Sequence, residues 1–371
     1  MHSELSHFAT RLREQLAAAP LAFSPAKFST LALELFALQF RHNAAYQKIC
    51  TARGATPDRV THWSQIPAVP TAAFKWLELT SLAPAARTAV FHSSGTTAQQ
   101  ASRHFHSAES LAVYEASLWP WFAANVLENF PGTSSPPELI ILTPPPAAVP
   151  HSSLVHMFES VRKAMRRPFA GGADANFFGQ LAADGAWTLD FPATLAALEN
   201  AVETNRPQPL LLLGTAFSFV HLLDFLAEKN LTLRLPAGSR VMETGGYKNR
   251  SRVLPKAELH ALITARLGVS PENILCEYGM SELSSQAYDA RRQSARGFQF
   301  PPWVRVQIIS PETGGEVNLG ETGLLRVLDL ANVFSVAAIQ TEDLAVRRAE
   351  GFELVGRAVL AEPRGCSLMN A

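Results

Sequence analysis

Residues 240–282 read RVMETGGYKNRSRVLPKAELHALITARLGVSPENILCEYGMSE. Arg240 to Thr244 is a short apolar run ending on Gly245-Gly246, the pattern of a strand that enters a loop. Over 255–267 apolar residues return at three- and four-residue spacing, which predicts a helix, and Asn273 to Glu277 is a second strand-like run. Towards the N-terminus the pattern repeats. Leu210 to Gly214 precedes a helical segment over 216–228, and Glu138 to Thr143 (ELIILT) precedes the loop PPPAAVPHSS and a helix from about 153. Strands that alternate with helices at this spacing predict an α/β fold built on a parallel sheet.

On either side of this block the character changes. The first fifty residues read as helical, with Ser24 or Ser29 as an N-cap for FSTLALELFALQFRHNAAY. The segment 62–84 mixes Trp, Pro and Phe and is expected to be irregular. Thr88 to Phe91 is strand-like, and a helix is expected around 107–129 with Trp119, Trp121 and Phe122 on its apolar face. After about 296 the segments PPWVRVQIIS, GETGLLRVLDL, FSVAAIQTEDL and GFELVGRA read as strands between Gly-rich turns, a β-rich subdomain.

Composition excludes several function classes. The 32 Lys and Arg balance the 32 Asp and Glu, so the chain lacks the cationic surplus of an electrostatic nucleic-acid binder. Hydrophobic residues make up 47% and charged residues 17%, a mixture that buries a core rather than staying disordered. Cys50, Cys276 and Cys366 are too few and too far apart for a disulfide framework or a CxxC metal site, which predicts a reducing, cytoplasmic setting. The most apolar stretch, 209–227, contains His221 and Asp224 and reads as core rather than as a membrane span.

Three short segments point to chemistry. Ser93-Ser94-Gly95-Thr96-Thr97 follows a strand-like run and offers four hydroxyls and a permissive glycine for wrapping phosphate oxygens, although alone it is also an ordinary Ser/Thr turn. Cys276-Glu-Tyr278-Gly279-Met-Ser281-Glu282 follows a strand, where ligands of α/β sheets bind; a carboxylate there suits Mg²⁺ and the Tyr ring suits a flat base. Gln340-Thr-Glu-Asp343 ends another strand with acids able to accept from sugar hydroxyls. His104 and His106 form an HxH pair without an acidic or Cys partner at ligand spacing, which argues against zinc there. His156 and His221 sit on apolar helix faces, as core residues or as part of an apolar pocket.

In this order the three segments resemble the core motifs of the adenylate-forming enzymes. Glu243-Thr-Gly-Gly-Tyr-Lys248, the run RSRVLPKAELHALITARLGVSPENILCEYGMSELSSQAYD and the HSSLVHM of the 146–157 loop resemble, more specifically, the acyl-protein synthetase (long-chain-fatty-acid–luciferin-component ligase) family. The resemblance implies a large-domain fold of parallel α/β subdomains and a β-rich subdomain. One acyl-adenylating domain would span 1–355, with its β-rich part at about 296–355 and a tail at 356–371. It also implies that Ser93 to Thr97 bind the triphosphate of ATP, that Gly245 and Gly246 flank the adenine and acyl pocket, and that Tyr278 lies against adenine. Glu282 would ligate Mg²⁺, Ser281 would contact the α-phosphate, and Asp343 would hold the ribose hydroxyls with Arg357 nearby.

The chain departs from the family pattern in two places. Ala98 replaces the usual Gly of the first loop, and the Pro-Lys that often follows is missing; Arg103 and His104 are candidates to supply that positive charge, the alternative being that both are plain surface residues. In the wider superfamily a mobile C-terminal domain carrying a catalytic Lys follows the Gly-Arg motif. Here fourteen residues follow Arg357, so that domain is expected to be nearly absent. The tail contains Cys366, which the resemblance makes the acceptor of the acyl group, with Arg364 favouring its thiolate. The expected activity is ATP-dependent conversion of a carboxylic, fatty or aromatic acid to acyl-AMP, then to a thioester for a partner acyl reductase or carrier. Phe and Leu within 209–226 are expected to line the acyl pocket. Direct transfer to coenzyme A or a carrier protein, and a non-catalytic nucleotide-binding subunit of a reductase complex, remain as alternative readings.

Overall fold

Leu210-Leu-Leu-Leu213 is apolar on both faces, as a strand covered by helices on both sides must be. In the computed structural model of the chain, which describes residues 3–18, 23–93, 100–130, 137–166, 176–203, 208–245, 251–289 and 297–358, Leu210–Thr215 is a strand buried along its whole length. It pairs in parallel with Glu138–Ile141 on one side and Arg240–Thr244 on the other. The full sheet runs Ala287–Tyr288, Ile274–Tyr278, Arg240–Thr244, Leu210–Thr215, Glu138–Ile141, Asn176–Phe177, and its first strand alone is antiparallel.

Strand alternation divides the core. Leu210, Leu212, Val241 and Ile274 pack with the helices Ala216–Glu228 and Lys256–Leu267. Leu211, Leu213 and Met242 pack on the other face with Ala108–Val126 and Ser153–Arg166. Successive strand side chains point to opposite faces, so an unbroken Leu run feeds both layers. The Phe and Leu residues of 209–226 therefore go into or against this core, except Phe217, which is buried beside Trp187. Among the described residues none of them lines the cleft described below, which corrects the expectation of an acyl pocket there.

The second sheet places Val69–Pro70, Ala338–Arg347, Thr322–Asp329 and Val304–Ile309 side by side, with Phe352–Arg357 also on Ala338–Arg347. Its pairings are antiparallel except the one with Val69–Pro70. The 62–84 segment is thus less irregular than its composition suggests, since it supplies an edge strand and the short helix Ala73–Trp76.

Three helices form the N-terminal region, Ser3–Ala18, Pro25–His42 and Ala44–Ala52. Ser24 is the cap of the second, accepting from Lys27 N at 3.2 Å, and Pro25 sits where a missing N–H costs nothing. Ser29 lies inside that helix. Buried Gln39 ties the helix to the second sheet's loop, donating to Asn332 O at 2.7 Å and accepting from Ala337 N at 3.0 Å. Composition did not single out Arg103–His106 as a strand, yet it pairs antiparallel with Ala89–His92. Likewise unanticipated are the helix Phe191–Glu203 and the hairpin of Gly179–Leu181 with Trp187–Leu189. Among the described residues no helix is long and apolar enough to cross a membrane.

Candidate active site

Two neighbouring parallel strands end in glycine, Arg240–Thr244 before Gly245 and Ile274–Tyr278 before Gly279. Gly245 has φ +70°, a backbone state that costs a side-chain-bearing residue about 1 kcal/mol or more. At Gly279 a Cβ would come within 2.4 Å of Glu277 Oε1, so glycine lets that carboxylate lie against the backbone. Both turns open into a cleft of about 2140 Å³ at the carboxyl edge of the sheet, the place where open α/β sheets bind ligands. Ser93, Gly245, Tyr278, Gly279, Ser281, Glu282, Asp343 and Arg357 all line it. Ser94, Gly95, Thr96, Thr97, Gly246 and Cys366 lie outside the described residues.

The motifs from distant parts of the chain touch one another. Tyr278 donates its hydroxyl to Asp343 Oδ2 at 2.7 Å, and Arg357 Nε donates to Asp343 Oδ1 at 3.2 Å. Asp343 and Arg357 face each other in register across two antiparallel strands, and the Tyr278 ring is braced by Phe298, Phe300 and Phe352. Ser281 donates its hydroxyl to Glu282 Oε2 at 3.0 Å, and both residues are buried. The Glu282 carboxylate and the Ser281 hydroxyl are hard oxygen donors on the cleft wall, the donor type that Mg²⁺ takes.

The strand pair that flanks the first motif, Ala89–His92 with Arg103–His106, holds the second in place. Ser93 and Ser102 exchange hydrogen bonds at 3.3 and 3.0 Å, the Ser102 and Ser281 hydroxyls are 3.5 Å apart, and His104 Nδ1 donates to Ser281 O at 2.8 Å. This corrects both expectations for His104, as a source of positive charge for the first loop and as a surface residue: it is 2% exposed, and burial holds its pKa down at about 4, so it is neutral. Arg103 pairs with Glu78 at 3.9 Å, and neither residue lines the cleft. His106 is buried beside His104, their rings 4.2 Å apart. His156 and His221 do not line the cleft either, which leaves them as helix-packing residues.

Glu277 points to the opposite side of its strand from Tyr278. It is 6% exposed, lines the cleft and accepts from the Thr244 hydroxyl. Burial pushes its pKa up from 4.5 to about 7, with the Thr244 hydrogen bond opposing and Glu243 adding to the rise. The folded state therefore binds this proton more tightly than the unfolded chain. The stability it contributes is complete below pH 4.5 and is lost as pH rises through about 7, a change of about 3 kcal/mol. Glu277→Gln is expected to remove that fall. Urea unfolding of both proteins at pH 5 and pH 8 checks it, because other groups cancel in the difference; equal slopes would refute the assignment.

A group that single-segment reading did not bring together lies on the Tyr278 side. Parallel register sets Cys276 beside Glu243, and the Cys276 thiol donates to Glu243 Oε1. His260, from the helix Lys256–Leu267, places Nε2 3.4 Å from that oxygen and 3.8 Å from the sulfur. Burial, with Glu243 and Asp289 close by, pushes the Cys276 thiol up. Lys256 pairs with Asp289, which also accepts from Cys276 N at 2.6 Å. No local pattern in the sequence signals this group, since Glu243 lies 17 positions from His260 and 33 from Cys276.

Solved structures of 2-hydroxyisobutyryl-CoA ligase share this fold. The chain superposes on an open conformation of 2-hydroxyisobutyryl-CoA ligase in complex with 2-HIB-AMP and CoA, with a TM-score of 0.65 and 13% identity over 93% of this chain and 77% of that one. The same ligase in its thioesterification state gives a TM-score of 0.65 at 15% identity, covering 93% and 70%. Residues 173–371, more than half of the chain, match the family model of the acyl-protein synthetase LuxE, and the chain belongs to that family. It is 25% identical over 189 residues to the long-chain-fatty-acid–luciferin-component ligase of Vibrio harveyi, covering 48% of this chain and 49% of that protein. The Aliivibrio fischeri ligase of the same name is 26% identical over 195 residues, covering 49% and 50%. The chain thus spans about half the length of the curated relatives it matches.

Proposed function

We propose that this protein activates a carboxylic acid with ATP, giving an acyl adenylate and pyrophosphate, and passes the acyl group to a thiol. The observation that supports this best is the Tyr278–Asp343 hydrogen bond, which joins two motifs 65 positions apart on the wall of one cleft that also holds Ser281 and Glu282. In this reading Asp343, steadied by Tyr278 and Arg357, accepts from the ribose hydroxyls, and the Tyr278 ring lies against adenine beside Gly245, Gly246 and Gly279. The segment Ser93 to Thr97 wraps the triphosphate. Glu282 holds Mg²⁺, which neutralises phosphate charge, and the Ser281 hydroxyl steadies the α-phosphate. A carboxylate oxygen then forms a bond to the α-phosphorus while the bond to pyrophosphate breaks. The residues contribute alignment and charge stabilisation rather than covalent chemistry.

A thiolate next attacks the acyl carbon of the mixed anhydride and AMP leaves. We assign that role to Cys366, with a partner acyl reductase or carrier as the onward acceptor. The names of the two bacterial relatives favour a fatty acid, and Val149, Leu154, Met157 and Trp187 supply apolar cleft wall for its chain. ATP–pyrophosphate exchange across a panel of fatty and aromatic acids tests the first step; no exchange with any acid, partner present, would overturn it. Cys366→Ala tests the second. Exchange is expected to persist while the hydroxylamine-sensitive acyl-protein disappears. If the acyl-protein survives in that variant, the acceptor is another thiol; if acyl-CoA forms equally well in both proteins, transfer to coenzyme A is the reaction.

A further inference from the structure

We propose that Glu243, His260 and Cys276 form a binding site for one Zn²⁺ ion on the wall of the cleft. Glu243 Oε1, His260 Nε2 and Cys276 Sγ lie within 4.8 Å of one another, and among the described residues no other such group of His, Cys and acidic side chains occurs. A tetrahedral Zn²⁺ with bonds of about 2.0 Å to nitrogen and about 2.3 Å to sulfur sets its ligand atoms about 3.5 Å apart. His260 Nε2 is 3.4 Å from the Glu243 oxygen and 3.8 Å from the Cys276 sulfur, so the imidazole already stands at tetrahedral spacing from both.

The way the imidazole is used separates a metal site from a nucleophilic triad. A Cys–His–acid relay needs the thiol on one ring nitrogen and the carboxylate on the other. Here the same Nε2 faces both, so three donor atoms converge on one point. The donor set also selects the ion. Thiolate and imidazole with one carboxylate suit Zn²⁺ and disfavour Mg²⁺, which takes oxygens. This is therefore a different site from the Glu282 carboxylate assigned to Mg²⁺.

Charge and access agree with this reading. On binding, the ion would displace the thiol proton that Cys276 donates to Glu243 and release it to solvent, and the dication then neutralises a thiolate and a carboxylate, both less than 9% exposed, while the adjacent Lys256 is already balanced by Asp289. All three ligand residues line the cleft, which leaves a fourth position open to a water molecule or to a nitrogen or oxygen of a molecule bound there.

Cobalt substitution tests the site without reference to acid activation. Untagged protein, stripped with a chelator and titrated with Co²⁺, is expected to bind one equivalent and to develop tetrahedral visible bands with thiolate-to-cobalt charge transfer. Zn²⁺ should displace it and bleach both. Cys276→Ser should abolish the charge transfer, His260→Ala should weaken cobalt binding by more than tenfold, and Cys50→Ser, which alters a buried thiol elsewhere, should leave the spectrum intact. Absence of these bands in the unaltered protein, or their survival in Cys276→Ser, would overturn the proposal. Should Cys276→Ser not fold, the unaltered protein and His260→Ala decide the matter. Acid-dependent pyrophosphate exchange plays no part in this readout, so either proposal can fail alone.

Discussion

Glu282→Gln and Asp343→Ala are each expected to lower acid-dependent ATP–pyrophosphate exchange by about 10²–10³-fold, the scale seen when one preorganised electrostatic group is removed from a reacting centre. Glu282→Gln keeps the shape of the side chain and its bond to the Ser281 hydroxyl while removing the charge that we propose holds Mg²⁺. Its loss should fall mainly on kcat and be relieved in part by raised Mg²⁺. Asp343→Ala removes the acceptor of both Tyr278 and Arg357, so its effect should appear as a raised KM for ATP as well. Tyr278→Phe deletes one hydrogen bond and keeps the ring, and a loss nearer tenfold is expected. Exchange within about fivefold of the unaltered protein in both carboxylate variants would show that the cleft does not use these groups as assigned.

Asp329→Ala is expected to destabilise the fold by about 3–5 kcal/mol, although Asp329 does not line the cleft. Its carboxylate is fully buried and accepts from Ser285 Oγ at 2.8 Å, Ser284 N at 3.1 Å and Ala331 N at 2.9 Å. Ser285 in turn meets Ser117 at 2.8 Å, and Trp303 Nε1 donates to Ser117 at 2.8 Å. This network fastens the segment that carries Ser281 and Glu282 to the second sheet and to the helix Ala108–Val126. Removing its central acceptor strands several buried donors, each at about 1–3 kcal/mol. Asn would present an NH₂ to donors that need an oxygen, so Asp329→Asn should also destabilise, by less. Denaturant unfolding measures the loss, and a change below about 1 kcal/mol in Asp329→Ala would contradict the account.

Much of this was legible residue by residue. Runs such as Leu210 to Leu213 and Val241 to Thr244, each set before an amphipathic stretch, announce buried strands and helices, because side-chain direction follows a local period of 2 or 3.6 residues. The same reading missed Arg103–His106. A strand whose buried face is His104 and His106 looks polar until its partner strand and the Ser281 carbonyl are in place. It also sent the Phe and Leu of 209–226 to a pocket, because apolarity marks burial without saying whether a ligand or a helix covers the residue.

By itself the sequence determined the element types of the α/β block, the glycine-terminated strands and the three polar motifs, all properties of neighbouring residues. Only the tertiary structure decided which distant side chains share a site. Strand order and register brought Asp343 to Tyr278, and set Glu243 beside Cys276 beneath His260. Parallel register is set by how crossover helices pack on the sheet as a whole. No local pattern encodes it, because the packing free energy belongs to contacts between segments far apart in the chain.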